Sequence, residues 1–275
     1  MSRGLGDVYK RQAHYCGLPD IYRGEDVPLS NIHHITWDDI DGKKPFRENK
    51  ELQKQLLKLM KKYPYMAHNA AFEDSWFKIH LDGYAEARRA GKIIVIDSLC
   101  ASLGQGLLVY LAQKKKEEGQ DLDAVAEWAE QHKQNIVHLF TVDDLNHLYR
   151  GGRVSKTAAV LGGMLNIKPI LHVDEEGKLI PIGKVRGRKK SLLELADLMD
   201  KKIGSCASSC DTVFISHGDC LEEAQFLSRK IKEKYQVKTE IINYVGAVIG
   251  AHSGPGTMAL FFMGREPVSY THLTL

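Results

Sequence analysis

The sequence predicts an α/β fold, and three observations carry that prediction. Short β-branched runs such as Ile93-Ile94-Val95-Ile96 and Thr212-Val213-Phe214-Ile215 punctuate the chain from residue 92 onward. Segments with apolar residues at helical spacing separate those runs. The composition, 43% hydrophobic and 27% charged, is that of a globular protein with a core of ordinary size. Alternation of this kind indicates helices layered on a sheet.

Each element has its own signal. The stretch up to about Asn49 is rich in Pro, Asp and Gly and reads as loop. Leu52, Leu56, Leu57 and Met60 then recur at helical spacing, and Pro64 is expected to end that helix. Lys92 to Ser98 reads as a buried parallel strand followed by a polar loop. A helix over 103–116 carries Leu103, Leu107, Leu108 and Leu111. A second over 121–134 starts at Asp121 and carries Leu122, Val125, Trp128 and Ala129. Ile136 to Phe140 is a strand. Thr141-Val142-Asp143-Asp144 has the form of a capping box, opening a short helix to Tyr149. Strands at 167–173 and 179–185 flank the turn Asp174-Glu175-Glu176-Gly177. A helix over 189–203 leads to a strand from Thr212 to Ser216. Asp219 is expected to cap a helix that turns Leu221, Ala224, Leu227 and Ile231 inward. Strands at 237–242 and 258–263 follow.

Charge and cysteine content exclude several classes. The 38 basic and 35 acidic residues give a net charge of +3, too balanced to argue for nucleic acid or a membrane surface as the main partner. Five cysteines show no paired framework, so a reduced, cytoplasmic setting is expected. No apolar run reaches the ~18 residues of a membrane span; at most a transient membrane contact is expected. Met1 to Gln12 has no hydrophobic stretch like a signal peptide. Residues 1–12 and 268–275 lack hydrophobic period and caps. They read as non-native tails, similar to translated adapter sequence at the ends of metagenomic gene fragments.

Three constellations could carry chemistry. In Arg150-Gly151-Gly152-Arg153-Val154-Ser155-Lys156, glycines permit close approach of a ligand or backbone. The arginines offer forked donors to carboxylate or phosphate, and Ser155 could cap a following helix whose amides favour an anion. A solvated turn ahead of a helix fits the same residues. In Gly246 to Gly256, His252 stands among small residues that leave its ring open to a ligand. In Arg186-Gly187-Arg188-Lys189-Lys190, a basic helix start could be ordinary surface or a docking patch. Cys206, Cys210, His217 and Cys220 could ligate zinc, but their spacing is irregular and no metal site is assigned.

Together these stretches resemble the DegV family of fatty-acid-binding proteins. The run Asp97-Ser98-Leu99-Cys100-Ala101-Ser102-Leu103-Gly104-Gln105-Gly106 is similar to a segment of the family's first domain. Asp143-Asp144-Leu145 leading into Arg150-Gly151-Gly152-Arg153, then Gly163 to Leu171, His217-Gly218-Asp219 and Gly250 to Gly256, follow in the family's order over 95–267. The resemblance implies a two-domain α/β architecture holding a long-chain fatty acid, with no cofactor and no catalytic residues of its own. It implies that the acyl carboxylate is presented to a separate fatty acid kinase, which makes an acyl phosphate. His252 would lie by the carboxylate, with Gly250 and Ser253 in its loop and Ser98 and Ser102 in the pocket wall. Arg150, Arg153, Arg186 and Arg188 would serve anion binding or kinase docking.

Residues 13–94 do not follow that pattern, so the first domain is expected to be incomplete or replaced. Asn31-Ile32-His33-His34-Ile35-Thr36, Gly42-Lys43-Lys44-Pro45-Phe46 and Ala67-His68-Asn69-Ala70-Ala71-Phe72-Glu73 resemble the middle of a proofreading-type 3′–5′ exonuclease. Such enzymes hold two metal ions with paired acids. The leading Asp-x-Glu motif is missing, and Asn69 with Glu73 or Asp74 cannot build that site. The alternative function is therefore a metal-dependent exonuclease fragment, inactive, joined to the remainder as a chimaeric reading frame.

Overall fold

The computed structural model describes residues 42–67, 70–155, 166–204, 206 and 210–264. The expected nuclease-like residues His33, His34, His68 and Asn69, the tails, and the helix expected after Ser155 lie outside the described residues. Two compact units divide the chain: 1–63 with 74–94, and 64–73 with 95–275.

The described residues of the first unit form helices. Helix α1, Lys50–Met60, is capped by Asn49, whose Oδ1 accepts the Leu52 amide at 3.0 Å. It stops at Met60, ahead of Pro64, because the Lys61 amide already closes the last turn on Leu57 O. Gln53 is buried beside Met60 and donates through Nε2 to the carbonyls of Phe46 and Arg47. Helix α2, Ala70–His80, spans the boundary between the units, and α3 is Tyr84–Arg89. Tyr84 is wholly buried and donates to Asp74 at 2.7 Å; Lys78 and Arg88 pair with the same carboxylate. Asp74 is thus committed to holding these helices together.

The second unit contains two sheets. Strand β2, Val95–Asp97, pairs in parallel with β1, Tyr65–Ala67, as the Lys92–Ser98 signal predicts. The larger sheet has six strands: β3 Ile136–Thr141, β4 Ile167–Val173, β5 Leu179–Arg186, β6 Thr212–His217, β7 Thr239–Tyr244 and β8 Met258–Met263. Their order is β5-β4-β3-β8-β6-β7, with β6 and β7 parallel and the other pairs antiparallel. The inner strands β3, β4, β6 and β8 are largely buried on both faces, as a doubly covered sheet requires, and the edge strands β5 and β7 are partly exposed. Val137, Leu139, Ile170, Val213, Ile215, Leu260 and Phe262 bury one face under α7, Arg188–Ile203, and α8, Leu221–Lys232. Period-two alternation turns His138, Phe140, Ser216, Ala259 and Phe261 to the other face. There they meet α4, Leu103–Glu117, and the loop ahead of it. Helices α5, Leu122–His132, α6, Leu145–Arg150, and α9, Ala247–Ser253, are the other helices of the unit among the described residues.

Three local expectations are corrected. Thr141 does not cap α6: it remains in β3, opposite Ile170 and Met258, and Asp144 is the cap, accepting the Asn146 amide at 2.9 Å. Asp219 does not cap α8, because it sits at φ 56 and Cys220 takes the cap position. The strand expected at 237–242 begins two residues later, since the amides of Lys238 and Thr239 are both drawn to Asp211 O.

Candidate functional site

The site is built on the sheet face opposite α7 and α8. Its first component is the loop from Asp97 to Ser102. Three successive amides there are taken by side chains: Leu99 by Asp97 Oδ1 at 3.1 Å, Cys100 by Ser98 Oγ at 3.3 Å, and Ala101 by His138 Nε2 at 3.2 Å. His138 Nδ1 lies 2.8 Å from Ile136 O. Nδ1 therefore bears the proton and Nε2 is the acceptor. The loop is held with Leu99 at φ 52 and Ser102 at φ 53, a region L-residues rarely adopt. Its product is the placement of Ser102 Oγ, 3.1 Å from Ser216 Oγ.

The second component is an interlock between the segment 143–152 and the loop 252–256. A Cβ on Gly151 would stand 2.2 Å from His252 Nδ1, one on Gly254 2.6 Å from His147 Cδ2, and one on Gly256 2.3 Å from Asp143 Oδ2. Each glycine therefore receives a polar side chain from the other segment against its bare backbone. This explains why the two glycine-rich stretches occur together in one sequence.

Between these components lies a cavity of about 580 Å³. Its wall is mainly apolar, with Phe140, Leu148, Val173, Leu179, Val245, Val248, Ile249 and Phe261. The polar lining groups include Ser102, Ser216, His252, Ser253, Thr257 and Arg153, with Gln105, His138 and Lys178 elsewhere on the wall. Thr257 Oγ1 is committed to Gly254 O and Ser253 Oγ to Ile249 O. Cys100 also lines the wall, and burial pushes its thiol up to about 12, so it stays neutral there.

The structure brings some expected residues together and separates others. His252, Ser253, Ser102 and Arg153 line the cavity. Ser98 is fully buried and serves the turn beneath it instead. Gly250 lies inside α9, its amide bonded to Gly246 O, and is not among the lining residues. Arg150 is exposed, with Nη2 3.4 Å from His147 Nδ1. Arg186 is exposed at the end of β5. Arg188 is paired within the chain: Nε and Nη2 donate to Glu223 at 2.8 and 2.6 Å, and Nη1 stands 3.7 Å from Asp143. The guanidinium is 17% exposed, and Glu223 satisfies Nε and Nη2 while the buried Nη1 makes no hydrogen bond. Asp143 also accepts Lys168 Nζ at 2.7 Å.

Sequence reasoning missed Ser216, His138, Phe140 and Phe261 as site residues, although the period-two alternation of β3, β6 and β8 bore the signal. The candidate zinc ligands are engaged otherwise. Cys210 and Cys220 donate to the carbonyls of Thr212 and Thr257, and His217 Nδ1 accepts the Cys220 amide. Among the described residues, no group of three or more His, Cys, Asp or Glu side chains is placed to hold a metal ion. Nor is any helix long and apolar enough to cross a membrane.

The arrangement is that of a mixed α/β protein built around an apolar cavity with a polar rim. The chain belongs to the DegV family: the family model, described as an uncharacterised protein of the DegV family, matches residues 80–265. That range starts ahead of the junction expected near residue 95. A DegV domain-containing protein of Clostridium perfringens is 48% identical over 177 residues, 64% of this chain and 60% of its own length. The chain thus spans about 60% of that relative. A fatty-acid-binding DegV family protein from Thermus thermophilus superposes with a TM-score of 0.62 at 27% identity, covering 80% of this chain and 78% of its own. The Streptococcus pneumoniae fatty acid kinase B3 protein, loaded with linoleic acid, shares the fold with a TM-score of 0.65 at 22% identity, over 78% and 76% of the two chains.

Proposed function

We propose that the chain binds a long-chain fatty acid in the cavity of its second unit and presents the carboxylate at the His252 rim to a separate kinase. The single observation behind this reading is the cavity itself: about 580 Å³, apolar over most of its wall, with the Ser102–Ser216 hydroxyl pair, His252 and Arg153 among its polar groups. That volume falls within the range of small-ligand sites. Each methylene buried there contributes about 0.8 kcal/mol. A carboxylate needs donors to leave water. Ser102 and Ser216 share one hydroxyl proton between them, which leaves the second free to donate. His252 and the unused N–H groups of Arg153 complete the set. Membership of the DegV family and the fatty acid bound by the Thermus thermophilus relative support the same ligand class. The kinase half rests on the family resemblance, and the chemical step, acyl-phosphate formation, belongs to that partner.

Organic extraction of purified protein followed by mass spectrometry tests the ligand. We expect close to one acyl chain per protein; recovery of none, with no rise in Tm on adding oleate, overturns the reading. The kinase role is tested separately, by following ATP-dependent acyl-phosphate formation from oleate with a fatty acid kinase, with and without this chain.

A further inference from the structure

Strand register orders the cavity floor. Phe140 lies opposite Ala259, and Ala259 opposite Ser216 on β6. One row along, His138 lies opposite Phe261 on β8, and on the other side of β3 the register leads to Val173 on β4. Val173 in turn pairs with Leu179 on the edge strand β5. Lining residues therefore run obliquely across five strands, from Ser216 to Leu179. Adjacent strands lie about 4.8 Å apart, so the four steps cover about 19 Å.

The two ends differ in chemistry. At the β6 end stand the Ser102–Ser216 hydroxyl pair and His252. At the β5 end stand Val173, Gly177, Lys178 and Leu179. The Lys178 ammonium is exposed and already paired with Glu176. The β4–β5 hairpin is also held in one shape: Asp174 Oδ1 accepts the amides of Glu176 and Lys178, both at 2.9 Å, and the Asp174 amide bonds to Lys178 O at 2.9 Å. A wall that is fixed can discriminate lengths; one that yields cannot.

We propose that this hairpin, through Leu179 backed by buried Val173, is the stop for the methyl end of the acyl chain and sets the length that fits. The proposal rests on the fatty-acid reading above. It makes Leu179 a specificity-determining residue, at the opposite end of the cavity from the carboxylate.

The test uses delipidated full-length protein, incubated with an equimolar mixture of saturated fatty acids of graded length, and mass spectrometry of what stays bound. Leu179→Ala should move the preferred length up by about two carbons, and Leu179→Trp should move it down by a similar amount. Leu179 is only half-buried, and Leu179→Ala alone decides if the tryptophan variant fails to fold. Variants that bind acid with the wild-type length profile overturn the proposal. So does a Lys178→Gln variant that weakens every length equally, since that places the carboxylate at the hairpin. A wild-type protein that binds no acid overturns the fatty-acid reading and this inference with it, and is distinguished by that result.

Discussion

The imidazole of His252 rests on the backbone of Gly151, so close that a Cβ at that position would lie 2.2 Å from Nδ1 and 3.0 Å from Cγ. Gly151 itself has φ −76, which any residue adopts. Its requirement for glycine therefore comes from His252 and not from its own backbone. Gly151→Ala should displace the ring and weaken fatty-acid binding by at least about tenfold, or about 1.4 kcal/mol, in an oleate titration. Gly152 is the contrast. It has φ 70 and open space around it, so Gly152→Ala should cost about 1–2 kcal/mol of stability through its own backbone, without displacing the His252 ring.

A second glycine pair separates packing from conformation in α4. A Cβ on Gly104 would stand 2.1 Å from His138 Nε2. That ring cannot yield: it is fixed by Ile136 O, by the Ala101 amide and by the edge of Phe261 at 5.2 Å between centroids. Gly104→Ala should destabilise by about 1–3 kcal/mol. Gly106, whose Cβ would make an ordinary 3.5 Å contact, lies within the helix at its fourth position, and Gly106→Ala should stabilise by up to about 0.5–1 kcal/mol. Urea unfolding midpoints of the two variants should move in opposite directions.

These pairs show what the sequence makes legible. Local signals placed Asp121 as a helix cap, the turn at Asp174–Gly177, and Val95–Asp97 as a parallel strand, because each depends on neighbours in the chain. The cavity depends on register. Ser216 meets Ser102 across 114 positions, and only the antiparallel pairing of β6 with β8 fixes which face it takes. The glycine stretches stood out as unusual, yet nothing local says that Gly256 accommodates Asp143. The Arg188 pairing is non-local in the same way: Glu223 stands beside it from 35 positions away.

That pairing changes what an Arg188 variant should do. Arg188→Met removes two hydrogen bonds to Glu223 and the approach to Asp143. We expect a loss of about 1.5–3 kcal/mol in thermal or chemical unfolding, the range for bonds to charged groups. Arg188→Lys should recover only part of it, because one ammonium cannot reproduce the guanidinium fork. Arg186→Ala, at an exposed position, should change stability by less than about 0.5 kcal/mol. A greater loss from Arg186→Ala than from Arg188→Met would contradict this assignment.

Acid should destabilise the second unit first through His172. Burial, then the Lys202 ammonium, pushes its pKa down to about 4 from 6.5. Between those values the unfolded chain binds a proton that the folded protein refuses. Stability is therefore full above about pH 6.5 and falls as pH drops toward 4. Asp74 and Asp200 act in a lower window. Burial works against each carboxylate, but hydrogen bonds from Lys78, Tyr84 and Arg88 outweigh it at Asp74, as those from Lys234 and Tyr235 do at Asp200. Both pKa values are lowered, so their contribution is present above about pH 4 and is lost only below it. His172→Leu should reduce the slope of the stability profile between pH 6.5 and 4, with His217, whose pKa burial also lowers, contributing the remainder, and leave the acid limb below pH 4 in place. Guanidine unfolding at a series of pH values reads both limbs; an unchanged slope in the upper window would show that His172 does not carry it.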